Sequence, residues 1–238
     1  MSRTVLVTGG TSGIGRAIAE LFAADGDEVV LTGRRPDAVE RTAAELSARG
    51  VVCDATDPGQ VAELADLLPE VHVLVNAAGG LPAPAGADLP RLHAVSADWQ
   101  ANLAQNLLSA VLTTTAVRPA LAPGGSVISI GSLGAERRGG AYGASKAALA
   151  AWNAALSAEL GPLGITSNVI AAGYVEGTEF FRGALTPERR AALIAETHTN
   201  RPGTPADIAR TAHFLASLGA RHITGQTLHV NGGAHTTR

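Results

Sequence analysis

Short apolar, β-branched runs punctuate the chain at residues 4–7 (TVLV), 28–31 (EVVL), 51–53 (VVC), 71–75 (VHVLV), 126–130 (SVISI), 166–170 (TSNVI) and 227–230 (TLHV). Their length and their turn-rich boundaries predict strands. The stretches between them follow the helical period instead: Ile14, Ile18, Leu21 and Phe22 share one face of a helix that stops near Gly26. Strand followed by helix, repeated, implies right-handed crossovers and a parallel sheet buried on both faces. The expected fold class is therefore α/β, a single doubly wound seven-stranded parallel sheet with helices on both faces. No internal repeat or linker divides the chain, so residues 1–238 read as one domain. The Pro/Gly/Ala-rich stretch 79–89 has turn formers and no period, and is expected to be an exposed loop.

One helix departs from the pattern. Over residues 144–160, Ala147, Leu149, Ala151, Trp152, Ala155, Leu156 and Ala158 spread around most of the circumference, whereas a surface helix shows a single apolar stripe. A sheet can cover only one side. A second copy, meeting the helix about a two-fold axis, is expected to cover the other.

Composition narrows the partners. A chain of 238 residues, 46% hydrophobic, can bury a full core. A net charge of −3 without basic runs argues against nucleic acid or an anionic membrane, and favours small molecules. The single cysteine, Cys53, allows no intrachain disulfide and reads as a small buried residue. Neither a charged leader with an apolar core nor a membrane-spanning run is found, which points to a soluble cytoplasmic protein with no membrane partner. His213, His222, His229 and His235 are scattered without metal-ligand spacing, so no metal is expected.

Two motifs carry candidate chemistry. "TGGTSGIG" follows the first strand and opens the first helix, with Gly9, Gly13 and Gly15 where a chain must turn sharply and approach a ligand. Helix N-terminal N–H groups favour an anion there, which suits a dinucleotide pyrophosphate. No Gly-Lys-Ser/Thr follows, which argues against a triphosphatase loop. In "AYGASKAAL", Tyr142 stands four residues before Lys146. On a helix this spacing puts phenol and ammonium on one face.

The Gly-x₃-Gly-x-Gly spacing, "NAAG" at residues 76–79 and "YGASK" together resemble the short-chain dehydrogenase/reductase family. The resemblance continues through "DWQANLAQNL" with Trp99 and Asn106, "ISIGS" with Ser132, "RPGTPADIARTAHFLAS" and "ITGQTLHVNGG", nearly end to end. It implies a Rossmann-like oxidoreductase of ketoreductase type, taking a small carbonyl or alcohol substrate, and a homotetramer. Asn106, Ser132, Tyr142 and Lys146 are then the catalytic residues. Tyr142 would exchange the proton, Lys146 would also bind the nicotinamide ribose, Ser132 would polarise the carbonyl, and Asn106 would hold a relaying water. The cofactor would be held by Gly9, Thr11, Ser12, Gly13, Ile14, Gly15, Arg34, Arg35, Asp54, Ala55, Asn76, Ala77, Gly79, Tyr142, Lys146, Gly173, Val175 and Thr178.

A free tyrosine with a pKa near 10 is poorly matched to proton transfer at neutral pH. A cation about 4 Å away, at an effective dielectric near 20, is worth about 4 kcal/mol and would bring Tyr142 near 7. The choice of cofactor is read at the end of the second strand. An acidic residue there usually holds the ribose of NAD, but here Gly33 occupies the place and Arg34 follows, able to grip a 2′-phosphate. NADP(H) is expected over NAD(H), although Ser12 stands where NADP-using relatives often carry a basic residue, and Asp37 is close.

The sequence departs from the family twice. Only nine residues separate Ser132 from Tyr142, a short loop beside the substrate; if it closes badly, Ser129 would be the fallback. Ala172 replaces the usual proline before Gly173, which predicts a looser backbone. Residues 174–200 are expected to form the substrate lid, with Phe180, Phe181 and Arg182 as packing or solvated residues that could reach the substrate. Two rival functions are a non-catalytic NAD(P)-binding sensor on the same fold, and a serine hydrolase using Ser145 of "GASKA".

Overall fold

The computed structural model describes residues 2–83, 89–137 and 139–237. Its seven strands are β1 (Thr4–Thr8), β2 (Glu28–Gly33), β3 (Arg49–Val52), β4 (Val71–Asn76), β5 (Leu121–Ser132), β6 (Thr166–Ala172) and β7 (Thr227–Val230). All pair in parallel in one sheet of order β3-β2-β1-β4-β5-β6-β7. Successive residues of a strand face opposite sides, and the two cores follow that alternation. Val5, Val7, Val73 and Val75 pack under α1 (Gly13–Ala24) and α8 (Pro205–Leu215), with Val39 of α2 (Pro36–Leu46). Leu6, Leu74 and Val127 face α3 (Pro58–Asp66), α5 (Ser109–Val117) and α6 (Gly140–Leu160). The doubly wound expectation holds.

Several boundaries differ from the sequence reading. β3 lies at Arg49–Val52, and Cys53 falls just past it, buried, with its N–H donated to the Gly33 carbonyl at 2.9 Å. Burial, with the charges of Asp54, Asp57 and Glu63 nearby, pushes the Cys53 thiol up to about 11, so it stays protonated and inert. β5 begins already at Leu121, with a register irregularity opposite Val71–Val73 of β4. α6 begins at Gly140, which sets Tyr142 inside the first turn of the helix.

The backbone at Ala172 is not loosened. Alanine keeps the N–H that proline lacks, and Ala172 is buried and paired with Ser132 on one side and Val230 on the other. Residues 79–83 carry no regular structure; 84–88 of that expected loop lie outside the described residues. The segment after β6 makes a single bridge, Val175 to Gly203, and holds α7 (Pro187–Ala195), none of whose residues is buried. Among the described residues no helix is long and apolar enough to cross a membrane.

Candidate active site

The strand order reverses between β1 and β4, and in open α/β sheets ligands bind beyond the carboxyl ends of the strands at such a switch point. Both glycine-bearing segments sit there. Gly9, at φ +66°, leaves no room for a Cβ, which would lie 2.9 Å from the Ala78 backbone; a Cβ on Gly15 would collide with the Gly9 carbonyl. Thr8 Oγ1 accepts hydrogen bonds from the N–H groups of Ala77 and Ala78, clamping the end of β4 to the end of β1. Gly13, Ile14 and Gly15 form the first turn of α1, whose N–H groups have no partner within the helix. Ser12 caps that turn without a side-chain hydrogen bond. Thr178 bonds the Val175 carbonyl and rests against Gly13, so the start of the lid touches the glycine loop. These residues fit a dinucleotide: unpaired helix N-terminal donors for its phosphates, on a tight turn that only glycine allows at Gly9 and Gly15.

Several of the other expected cofactor residues also have work within the chain. Asn76 is buried, with Nδ2 donating to Thr114 at 2.9 Å and Ser129 at 3.4 Å. Its side chain thus faces the sheet and ties β4 to β5 and α5. Val175 is a core residue whose carbonyl accepts the Thr178 hydroxyl. Asp54 spends one carboxylate oxygen on Thr56, and Ala55 is buried beside it. Gly173 gives its N–H to Val230 and abuts Asn231, where a Cβ would be 2.8 Å away. A Cβ on Gly33 would lie 2.7 Å from Thr11 Cγ2 and 3.2 Å from Val39, so a side chain there requires Thr11 to shift. Arg34 and Arg35 are exposed, and among the described residues neither forms an ion pair.

The catalytic-type residues converge from three elements. Ser132 ends β5 and accepts the Gly134 N–H at 3.0 Å, which leaves its hydroxyl proton free to donate. Ser129, the fallback, is buried against Asn76. The short loop to Tyr142 closes through glycine: a Cβ on Gly139 or Gly143 would collide with the Gly134 carbonyl, and Gly134 itself touches the Tyr142 ring and Ser132 Oγ. Tyr142 and Lys146 project from the same face of α6. Lys146, the chain's only lysine, is buried and donates to the Ile130 carbonyl at 2.7 Å. Asn106 sits in a π-turn, Ala104–Leu108, between α4 (Arg91–Leu103) and α5; such turns widen a helix and recur at functional sites. Its amide grips both the N–H and the carbonyl of Gly80, at 2.9 and 3.0 Å. One Oδ1 acceptor position remains, beside Gly79, where Lys146 Nζ also borders the space.

The electrostatics correct the expected tyrosine pKa near 7. Burial raises the phenol of Tyr142, with the Ser132 hydroxyl working the other way. Burial also pushes Lys146 itself down, to about 8, while its ammonium is turned toward the Ile130 carbonyl. Desolvation penalises both charged forms. The protein alone therefore keeps Tyr142 protonated.

Phe180 was expected to be packing or solvated, and it packs in a telling place. Its ring meets Tyr142 edge-on at 5.3 Å, and Phe181 packs at right angles on Phe180 at 5.0 Å. An aromatic doublet in a chain with 3% aromatic residues is the signal that marks this pair. Arg182 is exposed. Ser145 is buried and gives its hydroxyl to the Tyr142 carbonyl at 2.6 Å, so it faces its own helix and is no hydrolytic nucleophile. Among the described residues no group of histidine, cysteine or acidic side chains is placed to hold a metal ion.

A doubly wound sheet with a phosphate-loop helix at its switch point and a Ser/Tyr/Lys cluster beside it defines a nicotinamide-dependent oxidoreductase. Comparison with known proteins agrees. Residues 9–235 match the family model described as enoyl-(acyl carrier protein) reductase. The chain is 41% identical over 235 residues to the putative oxidoreductase MT1904 of Mycobacterium tuberculosis, covering 97% of each chain. It is 36% identical over 244 residues to the 3-oxoacyl-[acyl-carrier-protein] reductase FabG of Escherichia coli, covering 98% of this chain and 97% of that one.

A short-chain glucose/ribitol dehydrogenase from Brucella melitensis superposes with a TM-score of 0.89 at 32% identity, covering 99% and 97% of the two chains. Two further solved structures, each at TM-score 0.86 and 32% identity, are a metagenomic blue fluorescent protein in complex with NADPH and a 7α-hydroxysteroid dehydrogenase complexed with NADH and 7-oxo glycochenodeoxycholic acid. They cover 98% and 97% of this chain, and 98% and 93% of their own. The chain belongs to the short-chain dehydrogenase/reductase family. It is an NAD(P)-dependent enzyme of that family.

Proposed function

We propose that the protein moves hydride between NADP(H) and a ketone or its secondary alcohol, with Tyr142 giving the proton in reduction and taking it in oxidation. The observation that carries this reading is the meeting of Ser132, Tyr142, Lys146 and Asn106 at one end of the sheet, beside the glycine loop. A bound nicotinamide supplies the hydride. Ser132 donates its free hydroxyl proton as a hydrogen bond to the carbonyl oxygen, and Tyr142 passes its own proton to that oxygen as negative charge develops there. Lys146 and the remaining acceptor position of Asn106 border one space, where a water returns a proton toward the phenol. Phe180 holds the Tyr142 ring in place and closes the pocket on the apolar side.

NADP(H) is favoured because Arg34 and Arg35 are exposed cations just beyond β2, while Gly33 supplies no carboxylate to hold a free ribose hydroxyl. The active form is a homotetramer, supported by the apolar faces of α4 and α6. The Escherichia coli relative's name makes a β-keto acyl compound the first ketone to assay in a screen of ketone classes. Tyr142→Phe should bind NADPH as the wild type does and lose at least about 10² in turnover, the lower range for a positioned acid. Retention of more than a tenth of the activity overturns the proton-transfer role.

A further inference from the structure

Beyond the reacting groups, three segments that frame the pocket meet at one side chain. Arg137 lies in the loop that follows Ser132. Its Nη1 donates to Glu196 Oε2 at 2.7 Å, at the end of α7, and its Nη2 donates to the Ala234 carbonyl in the segment after β7. Glu196 is shared with Arg189 of α7, 3.9 Å away. The segment after β7 is anchored in turn. Asn231 is buried, accepts the Gly233 N–H, donates to the His235 carbonyl and packs on Gly173, where the lid departs from β6. Loop, lid end, C-terminal segment and lid start thus form a closed ring: the lid end meets the C-terminal segment directly, through the Thr199 N–H and the Gly232 carbonyl at 3.1 Å, and Arg137 ties both to the loop.

We propose that Arg137 is a positioning residue, which fixes the shortened Ser132–Tyr142 loop and the lid to each other and so sets where Ser132 stands over the substrate. The loop has little else for the task. Its glycines close it by contact with one another and with α6, and α7 buries none of its own residues, Leu193 and Ile194 being only half-buried, so polar contacts weigh heavily in holding it down. Within the lid a second ion pair, Arg190 to Glu176 at 2.7 Å, ties α7 to the segment just after β6. An exposed ion pair adds little to global stability. Here the planar fork spends its two ends on two different segments, which fixes direction rather than adding strength. The inference rests on the reading of Ser132 as the residue that polarises the carbonyl, and its test is built to separate the two.

Amide hydrogen exchange in the full chain is compared for wild type, Arg137→Ala, Arg137→Lys and Glu196→Gln. Loss of the clamp in Arg137→Ala or Glu196→Gln should speed exchange about fivefold in peptides from both residues 133–136 and α7, with β1 and the glycine loop unchanged. Arg137→Lys, able to make one bond but not both, should recover only part of the protection. Exchange that rises only in the peptide carrying the substitution, or in neither, overturns the proposal.

Steady-state assays at saturating NADPH, with the best ketone from a substrate screen, supply the second readout. Arg137→Ala should raise the ketone KM about fivefold, and salt should raise the wild-type KM toward the variant's while leaving the variant flat. Both KM and kcat within about twofold of wild type, with no difference in salt response, overturn the positioning role. Ser132→Ala is the control. If it keeps wild-type turnover, the reading of Ser132 fails, while the exchange measurement still decides the clamp.

Discussion

At the scale of single residues, burial decides what charge alone would not. Tyr142 and Lys146 stand one helical turn apart, and simple Coulomb reasoning lowers the phenol by several units. In the folded chain Lys146 turns to a backbone carbonyl and both groups are desolvated, so the tyrosine keeps its proton and the lysine holds its own less tightly. The protonated phenol is the form that carbonyl reduction needs. Because the chain has one lysine, reductive ¹³C-methylation gives a single side-chain signal, and its titration should centre near 8.

The linkage follows in sign: Lys146 binds its proton less tightly when folded, at about 8 against 10.5, so stability is lost as pH falls through 8 and is full above 10.5. Lys146→Met should therefore abolish turnover yet be about 1–2 kcal/mol more stable than wild type at pH 7, after the lost Ile130 hydrogen bond is counted. The gap should close as pH rises toward 10.5, which thermal melts across that range would reveal.

Cofactor choice is also argued at single residues. Arg34→Ala should lower kcat/KM for NADPH about ten- to hundredfold relative to NADH, the weight of a charge-assisted contact. Gly33→Asp, the obvious conversion toward NAD, should lower stability, since its Cβ would press on Thr11 and Val39, and should lower kcat/KM for NADPH more than for NADH by repelling the 2′-phosphate. Equal efficiency with both cofactors in the wild type would show that Arg34 does not read the phosphate.

At the scale of elements, caps position the helices that carry the site. α8 packs on α1, whose N-terminus is the phosphate loop. α8 is begun by a capping box in which Thr204 accepts the Asp207 N–H at 3.2 Å and Asp207 accepts the Thr204 N–H at 2.9 Å. Arg201 binds both carboxylate oxygens of Asp207, at 2.8 and 3.2 Å. Arg201 and the Thr204 backbone hold the Asp207 carboxyl well below its ordinary value. Its contribution is thus present above the unfolded value of 3.8 and is lost as pH falls through the lower folded one. Thr204→Ala should lower stability by about 1 kcal/mol at pH 7. Asp207→Asn should do the same there, with its deficit shrinking in strong acid; a deficit independent of pH would show that the charge plays no part.

At the scale of the whole molecule, one flank remains apolar and uncovered. On α6, Leu149 and Leu156 turn into the core, whereas Ala147, Ala151, Ala155 and Ala158 are exposed. Beside it α4 exposes Leu92 at 79%, Val95 at 49% and Trp99 at 44%, more than scattered surface residues would explain. Ala151→Glu combined with Leu92→Glu should convert a homotetramer into smaller species by light scattering at micromolar concentration. A wild type that is already monomeric there would refute the oligomer.

Much of this protein was written in its sequence by itself. Strand and helix periods are local, so the seven strands, the parallel class and the order of motifs could be read from spacing alone. The glycine loop and the Tyr142/Lys146 pair are likewise local, each fixed within a few residues of one helix start. What the sequence could not decide were matters of direction and burial. Nothing local says that Asn76 turns into the sheet, that Lys146 points to Ile130, or that Thr11, from a distant turn, packs over Gly33. Nor does an arginine in an exposed loop announce that it bonds to segments 59 and 97 residues away. Those contacts join elements brought together only by the crossovers, and the pKa shifts follow from the same packing, since desolvation is a property of the assembled core and not of neighbours in the chain.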